Sequence, residues 1–224
     1  MFFSTRAIKC PMARMTKAEI TEFFTRLRGA NPTPKSDLEY TNAYTLLVAV
    51  VLSAQATDEG VNRATKDLFQ IIDTPEGMVD LGLEGLKQHI KTIGLYNTKA
   101  QNVIKLSEIL IREHNSQVPD TRDALVALPG VGRKTANVVL NIIFQQPTMA
   151  VDTHIFRISN RTGLAPGKNV DAVEQNLLKR VPDEFMMYAH HWLILQGRYI
   201  CKARKPICSE CIVSDLCHFK DKTA

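Results

Sequence analysis

Leu128-Pro-Gly-Val-Gly-Arg-Lys-Thr-Ala-Asn137 stands between two stretches whose apolar residues recur at helical spacing. Proline and two glycines interrupt that periodicity. The segment Asp123 to Leu140 is therefore predicted to be a short helix ending at Leu128, a tight Pro129-Gly130-Val131-Gly132 turn, and a second helix opening at Arg133. The pattern is helix–hairpin–helix. Gly130 and Gly132 tolerate positive φ and leave the backbone unshielded. The amides of Gly130, Val131, Gly132 and Arg133, with the positive end of the second helix behind them, can then converge on one phosphate oxygen. Such a grip holds a nucleic-acid backbone without reading its sequence. A bare Gly-x-Gly is more often an ordinary turn between packed helices. Here the longer string separates the two readings, because Arg133 and Lys134 follow the turn directly and an amphipathic helix flanks it on either side.

Outward from this segment, almost every stretch reads as helix. Leu83, Leu86, Ile90 and Ile93 recur at three- and four-residue spacing, as do Val103, Leu106 and Leu110. Asn97, Thr121, Asp152 and Asp171 each precede an apolar-periodic stretch as candidate N-caps. No alternating run is long enough for a strand, so the fold class is all-α. Breakers at Asn31 to Pro34, Thr74 to Gly77, Gly94, Val118 to Pro119, Pro129 to Gly132, Gln146 to Pro147 and Pro166 to Gly167 leave helix-sized intervals. There is no fixed-period repeat and no flexible linker, which favours two lobes sharing a groove over tethered modules. The 224 residues, 45% of them apolar, suffice to bury the core of one large domain or two such lobes.

A net charge of +5 and a pI near 9.0 suit a polyanionic partner, although a modest excess of this kind also serves simple solvation. The most apolar run, Thr45 to Ala54, is far short of the roughly 20 residues of a membrane helix, and no membrane partner is expected. Residues 1 to 14 contain Arg6, Lys9 and Arg14 and no acid, and are read as a frayed N-terminal extension before helix begins near Met15. Of the five cysteines, Cys10 stands alone. Cys201, Cys208, Cys211 and Cys217 are separated by six, two and five residues. Thiols this closely spaced, with no secretory signal, read as a thiolate cage in a reducing cytosol rather than a disulfide framework. Four thiolates suit zinc or iron–sulfur, and the spacing alone leaves both open.

Two side chains near the hairpin carry candidate chemistry. Lys134 lies one residue into the second helix. A free lysine amine can attack the anomeric carbon of a sugar, displace the base and leave an imine that permits β-elimination of the 3′ phosphate. The competing role is that of a phosphate-binding cation. Downstream, Ala150-Val151-Asp152-Thr153-His154 sets an acid at the head of a helix running towards Arg161. Asp152 serves there as an N-cap, as a partner that stabilises an oxocarbenium-like sugar and assists proton transfer, or as both. His154, His190 and His191 are read as structural.

Taken together, several strings closely resemble the bacterial endonuclease III family over about residues 15 to 224. They are Leu128 to Asn137, Val151-Asp152-Thr153-His154, the closing cysteines, Leu52-Ser-Ala-Gln-Ala-Thr-Asp58, Lys91-Thr-Ile-Gly-Leu-Tyr-Asn97 and His191-Trp-Leu-Ile-Leu-Gln-Gly-Arg198. The resemblance implies a two-lobed all-helical glycosylase fold, with a helical barrel at about 36–146. The second lobe is discontinuous, built from 15–35 plus 147–224, and ends in an iron–sulfur loop. It implies removal of oxidised pyrimidines from damaged double-stranded DNA and cleavage at abasic sites by a monomeric bacterial enzyme of the cytoplasm and nucleoid. Lys134 matches the Schiff-base nucleophile and Asp152 its partner. Gln55 and Leu95 match the positions that fill the gap left by a flipped nucleotide. Cys201, Cys208, Cys211 and Cys217 match the ligands of a [4Fe–4S] cluster, whose loop would hold Lys202, Arg204 and Lys205 against phosphate. Two rival readings remain. A monofunctional glycosylase of the same superfamily would lack the lysine, and a non-catalytic DNA-binding module would use the hairpin for docking alone.

Overall fold

The computed structural model describes residues 14–223, so the extension read at residues 1 to 14 lies outside the described residues except for Arg14. Among the described residues there is no strand. The chain forms two compact units, one from Pro34–Ala150 and Met186–His191, the other from the chain up to Thr33, Val151–Phe185 and the chain from Trp192 on.

The first unit is built around α2 (Ala43–Leu52), the run flagged for its apolarity. Asn42 and Thr45 form a reciprocal capping box at its head, and nine of its ten residues are buried. A helix apolar all round has no solvent face, so it belongs inside a core. Each fully buried leucine or valine there contributes about 1.5–3 kcal/mol. Packed on it are α3 (Asp58–Thr65), α6 (Tyr96–His114) and α8 (Arg133–Ile142). The short helices α4 (Leu68–Ile71) and α7 (Arg122–Val126) and the longer α5 (Pro75–Ile90) complete the unit. Pro75 occupies the first turn of α5, so the break read at Thr74 to Gly77 is a helix start. Gly82, at φ 72°, kinks the same helix at a position not among the predicted breakers. Leu86, Ile90, Val103, Leu106 and Leu110 are fully buried, as their spacing requires.

The second unit begins with α1 (Lys17–Ala30), capped by a Thr16–Glu19 box. Its Phe24 stacks on Phe185 at 5.7 Å and lies 6.2 Å from Trp192, whose indole donates to the Asn31 carbonyl at 2.7 Å. α9 (Thr153–Thr162) and α10 (Val170–Arg180) follow, and α11 (Asp183–Leu195) is divided, its Met186–His191 stretch belonging to the first unit and its two ends to the second. Asn169, not Asp171, caps α10, accepting from the Ala172 amide at 2.9 Å. Asp171 lies in the first turn instead, where its charge still meets the helix dipole. No helix among the described residues is long and apolar enough to cross a membrane.

Candidate functional site

The hairpin is a type II turn. The Val131 amide donates to the Leu128 carbonyl at 3.1 Å, Pro129 occupies the first central position, and Gly130 takes the second at φ 79°. A Cβ on Gly130 would lie 3.0 Å from the Asn102 amide nitrogen and 3.2 Å from Val51, so both conformation and space demand glycine. Gly132 departs from expectation. It adopts φ −93° as N-cap of α8, and its value lies in having no side chain, with open space beside it. Because the turn consumes the Val131 amide and buries that side chain, Val131 anchors the hairpin rather than offering its own N–H. No side chain caps α8, and Lys134 stands exposed in its first turn. An uncapped helix head of this kind is suited to an anion supplied from outside. The preceding helix, α7, ends at Val126, two residues before the predicted Leu128.

Gln55 and Leu95 share an unusual backbone, at φ 54° and 61°, the left-handed region that non-glycine residues enter at a cost of about 1–3 kcal/mol. Both side chains are exposed, Leu95 at 62%. Leu95 is itself the N-cap of α6, which displaces Asn97 from that role into the helix.

Asp152 heads α9 in the other unit. One carboxylate oxygen accepts from the amides of His154 and Ile155 at 2.8 and 2.9 Å, so the capping role is real. One turn on, Arg157 donates to the Cys201 carbonyl at 2.9 Å and the Gly197 carbonyl at 2.6 Å, and meets His154 Nδ1 at 3.2 Å. Arg161 donates to the carbonyls of Lys202 and Ala203 at 2.6 and 2.7 Å, and its guanidinium covers the Phe219 ring at 4.8 Å. His154, Arg157 and Arg161 lie three and four residues apart, a basic stripe on one helix face that helical spacing alone would have revealed.

The four cysteines line one pocket with Ile158, Thr162, Gln196 and Val213. Ahead of Cys201 the chain widens into a π turn, Gln196–Ile200, closed by the Cys201 amide on the Gln196 carbonyl at 2.7 Å. Burial pushes the thiols of Cys211 and Cys217 up, and the neighbouring cysteines add to the effect, so bare thiolates are disfavoured without a cationic centre. Donors nonetheless aim at the sulfurs: Gln196 at Cys211 from 3.2 Å, the Phe219 amide at Cys217 from 3.5 Å, and Arg161 at Cys201 from 3.7 Å. Among the described residues, no three His, Cys, Asp or Glu side chains converge closely enough to hold a single metal ion. Four thiols lining one shared pocket supply the donor set of a four-cysteine cluster, in which each thiolate binds its own iron. Lys202, Arg204 and Lys205 all stand exposed on the intervening loop.

A turn that offers backbone to phosphate, a lysine beside it and a four-cysteine loop define a helix–hairpin–helix DNA-repair protein. In agreement, the model of the HhH-GPD superfamily base excision DNA repair protein matches residues 48–183, and the iron-sulfur binding domain of endonuclease III matches residues 201–217. The chain is 60% identical to endonuclease III of Escherichia coli strain K12 over 93% of its length and 99% of that protein's. It is 59% identical to endonuclease III of Haemophilus influenzae over the same shares. Among solved structures, a trapped endonuclease III–DNA covalent intermediate matches with a TM-score of 0.84 at 45% identity, covering 91% of this chain and 96% of that one. A thermostable thymine-DNA glycosylase matches at 0.80 and 25% identity, covering 89% and 95%. The chain belongs to the endonuclease III family, and its cofactor is a [4Fe–4S] cluster.

Proposed function

We propose that this protein is a bifunctional DNA glycosylase and abasic-site lyase of base excision repair, acting as a monomer on damaged double-stranded DNA in the bacterial cytoplasm and nucleoid. The observation that carries the reading is the hairpin, where an uncapped helix head follows directly on a glycine-dependent turn and presents an exposed Lys134. Similarity to endonuclease III captured both covalently and non-covalently on DNA supports it.

Phosphate sits on the amides around Gly132 and Arg133, which sets the backbone of the damaged strand over Lys134. The target nucleotide leaves the stack at a cost of a few kcal/mol, lower where damage has weakened pairing, and Gln55 and Leu95 occupy the space vacated. The Lys134 amine forms a bond to C1′ as the glycosidic bond breaks, and the base departs with a proton. The amine then gives up its proton, the C1′–O4′ bond breaks with a proton passed to O4′, and the opened sugar becomes an imine; this acidifies C2′, whose proton is removed as the 3′ phosphate leaves, and water then releases Lys134. The Asp152 carboxylate stabilises positive charge developing on the sugar and passes protons around the amine. Cys201, Cys208, Cys211 and Cys217 hold the cluster, which supplies a rigid cross-link for the loop bearing Lys202, Arg204 and Lys205.

Borohydride trapping on a duplex with one thymine glycol tests this directly. A covalent adduct from the wild-type chain that vanishes in Lys134→Ala is expected. Base release without adduct or strand cleavage would return Lys134 to phosphate binding and make the enzyme monofunctional.

A further inference from the structure

We propose that Arg157 is a positioning residue for base excision, tying the helix head that carries Asp152 to the backbone of Cys201 so that the folded cysteine loop fixes where the Asp152 carboxylate stands. The inference rests on the role given to Asp152 above. Its first support is geometric. A guanidinium presents its donors in a rigid fork, and Arg157 uses that fork on three partners at once: the Cys201 carbonyl at 2.9 Å, the Gly197 carbonyl at 2.6 Å and His154 Nδ1 at 3.2 Å. Since Arg157 can only donate, His154 must accept there, which places the imidazole proton on Nε2. The His154 amide is in turn one of the two N–H groups that hold Asp152. Carboxylate, histidine, arginine and cysteine backbone thus form one continuous chain of contacts.

Packing supplies the second support. A Cβ on Gly197 would lie 3.0 Å from both the Cβ and the carbonyl oxygen of His154, so the π turn touches the head of α9 with no side chain between them. The extra residue of that turn brings the carbonyls of both Gly197 and Cys201 within reach of one guanidinium.

A purely structural arginine and a positioning arginine differ in what their loss does to a chain that still carries its cluster. The test compares wild type, Arg157→Gln, Arg157→Lys and Gly197→Ala. Four quantities are measured: visible cluster absorbance per chain, duplex affinity, amide exchange at His154 and Ile155, and single-turnover excision of thymine glycol. Cluster-bearing variants are expected to bind DNA within about twofold of wild type. Their two Asp152-held amides should exchange faster, and excision should fall by about tenfold or more, because small displacements of a catalytic group are costly. Arg157→Lys keeps the charge without the fork and should fall with Arg157→Gln. Should Arg157→Gln not fold, Gly197→Ala, which pushes the same helix head and leaves the cation in place, decides by the same criterion. Excision that declines only in proportion to absorbance, with unchanged amide exchange, overturns the inference and leaves the proposed function standing. A wild-type chain that excises nothing overturns both.

Discussion

Leu95 and Gln55 hold a left-handed backbone that a glycine would adopt without strain, yet both expose a full side chain to solvent. Strain retained at an exposed position makes sense when the side chain is needed for work outside the fold. Leu95→Gly should relieve about 1–3 kcal/mol of strain and cost about 0.5–1 kcal/mol in chain entropy. The expected outcome is an unchanged or higher denaturation midpoint together with slower excision; a variant that excises at the wild-type rate would remove Leu95 from the void-filling role. Gly130→Ala tests the opposite case. It forces a Cβ against Asn102 and Val51 at positive φ, so a loss of about 1–3 kcal/mol in stability should accompany weakened duplex binding. The need for glycine in this turn was legible in the sequence. Which glycine carries the positive φ was left open between Gly130 and Gly132, although Pro129 followed by Gly130 is the signature of a type II turn and so points to Gly130.

At the scale of single helices, the head of α9 separates charge from capping. Asparagine caps as well as aspartate, so Asp152→Asn should fold like wild type, whereas Asp152→Ala should lose about 1 kcal/mol in urea denaturation. Both should lose most excision activity, and an Asp152→Asn enzyme with full activity would leave the residue only its cap. α11 adds a pH dependence. Burial holds the His191 imidazole below its ordinary range, so the folded chain keeps it neutral where the unfolded chain takes up a proton. Its contribution is complete above pH about 6.5 and is lost as pH falls towards the lower folded value, by at most about 1.4 kcal/mol per pH unit. His191→Gln should flatten that decline in urea midpoints between pH 7.5 and 5. Most helices could be read from periodicity, and α2, which has none, from apolarity alone. The starts of α6 and α10 could not, since Leu95 caps by backbone conformation and the role expected of Asp171 is held by Asn169, two residues earlier. The π turn before Cys201 leaves no periodic trace, and without it the contacts of Arg157 are invisible.

For the whole molecule, the proposed ligation by Cys201, Cys208, Cys211 and Cys217 would make the cluster a cross-link. Cys208→Ser should abolish its visible absorbance and cost about 3 kcal/mol, the scale expected for a covalent tie closing a loop of this length; an unchanged spectrum would remove Cys208 from the ligand set. The surplus charge of the chain sets how DNA binding responds to salt. Each lysine or arginine that neutralises a phosphate releases a counterion and contributes about 0.9 to the slope of log affinity against log salt. Lys202, Arg204 and Lys205 are all exposed, and the loop carrying them is clamped by Arg161 through the carbonyls of Lys202 and Ala203. Replacing all three by alanine should therefore reduce the slope by roughly 2–3 while affecting every duplex sequence alike. Cluster absorbance and the trapping chemistry at saturating DNA should be unchanged, because neither Lys134 nor the thiols are altered. Arg161→Ala, which leaves the three cations in place but frees their loop, should lower affinity and retain the slope. If the triple variant keeps the wild-type slope, these cations face solvent in the complex, and the hairpin with other basic residues must hold the phosphates without them.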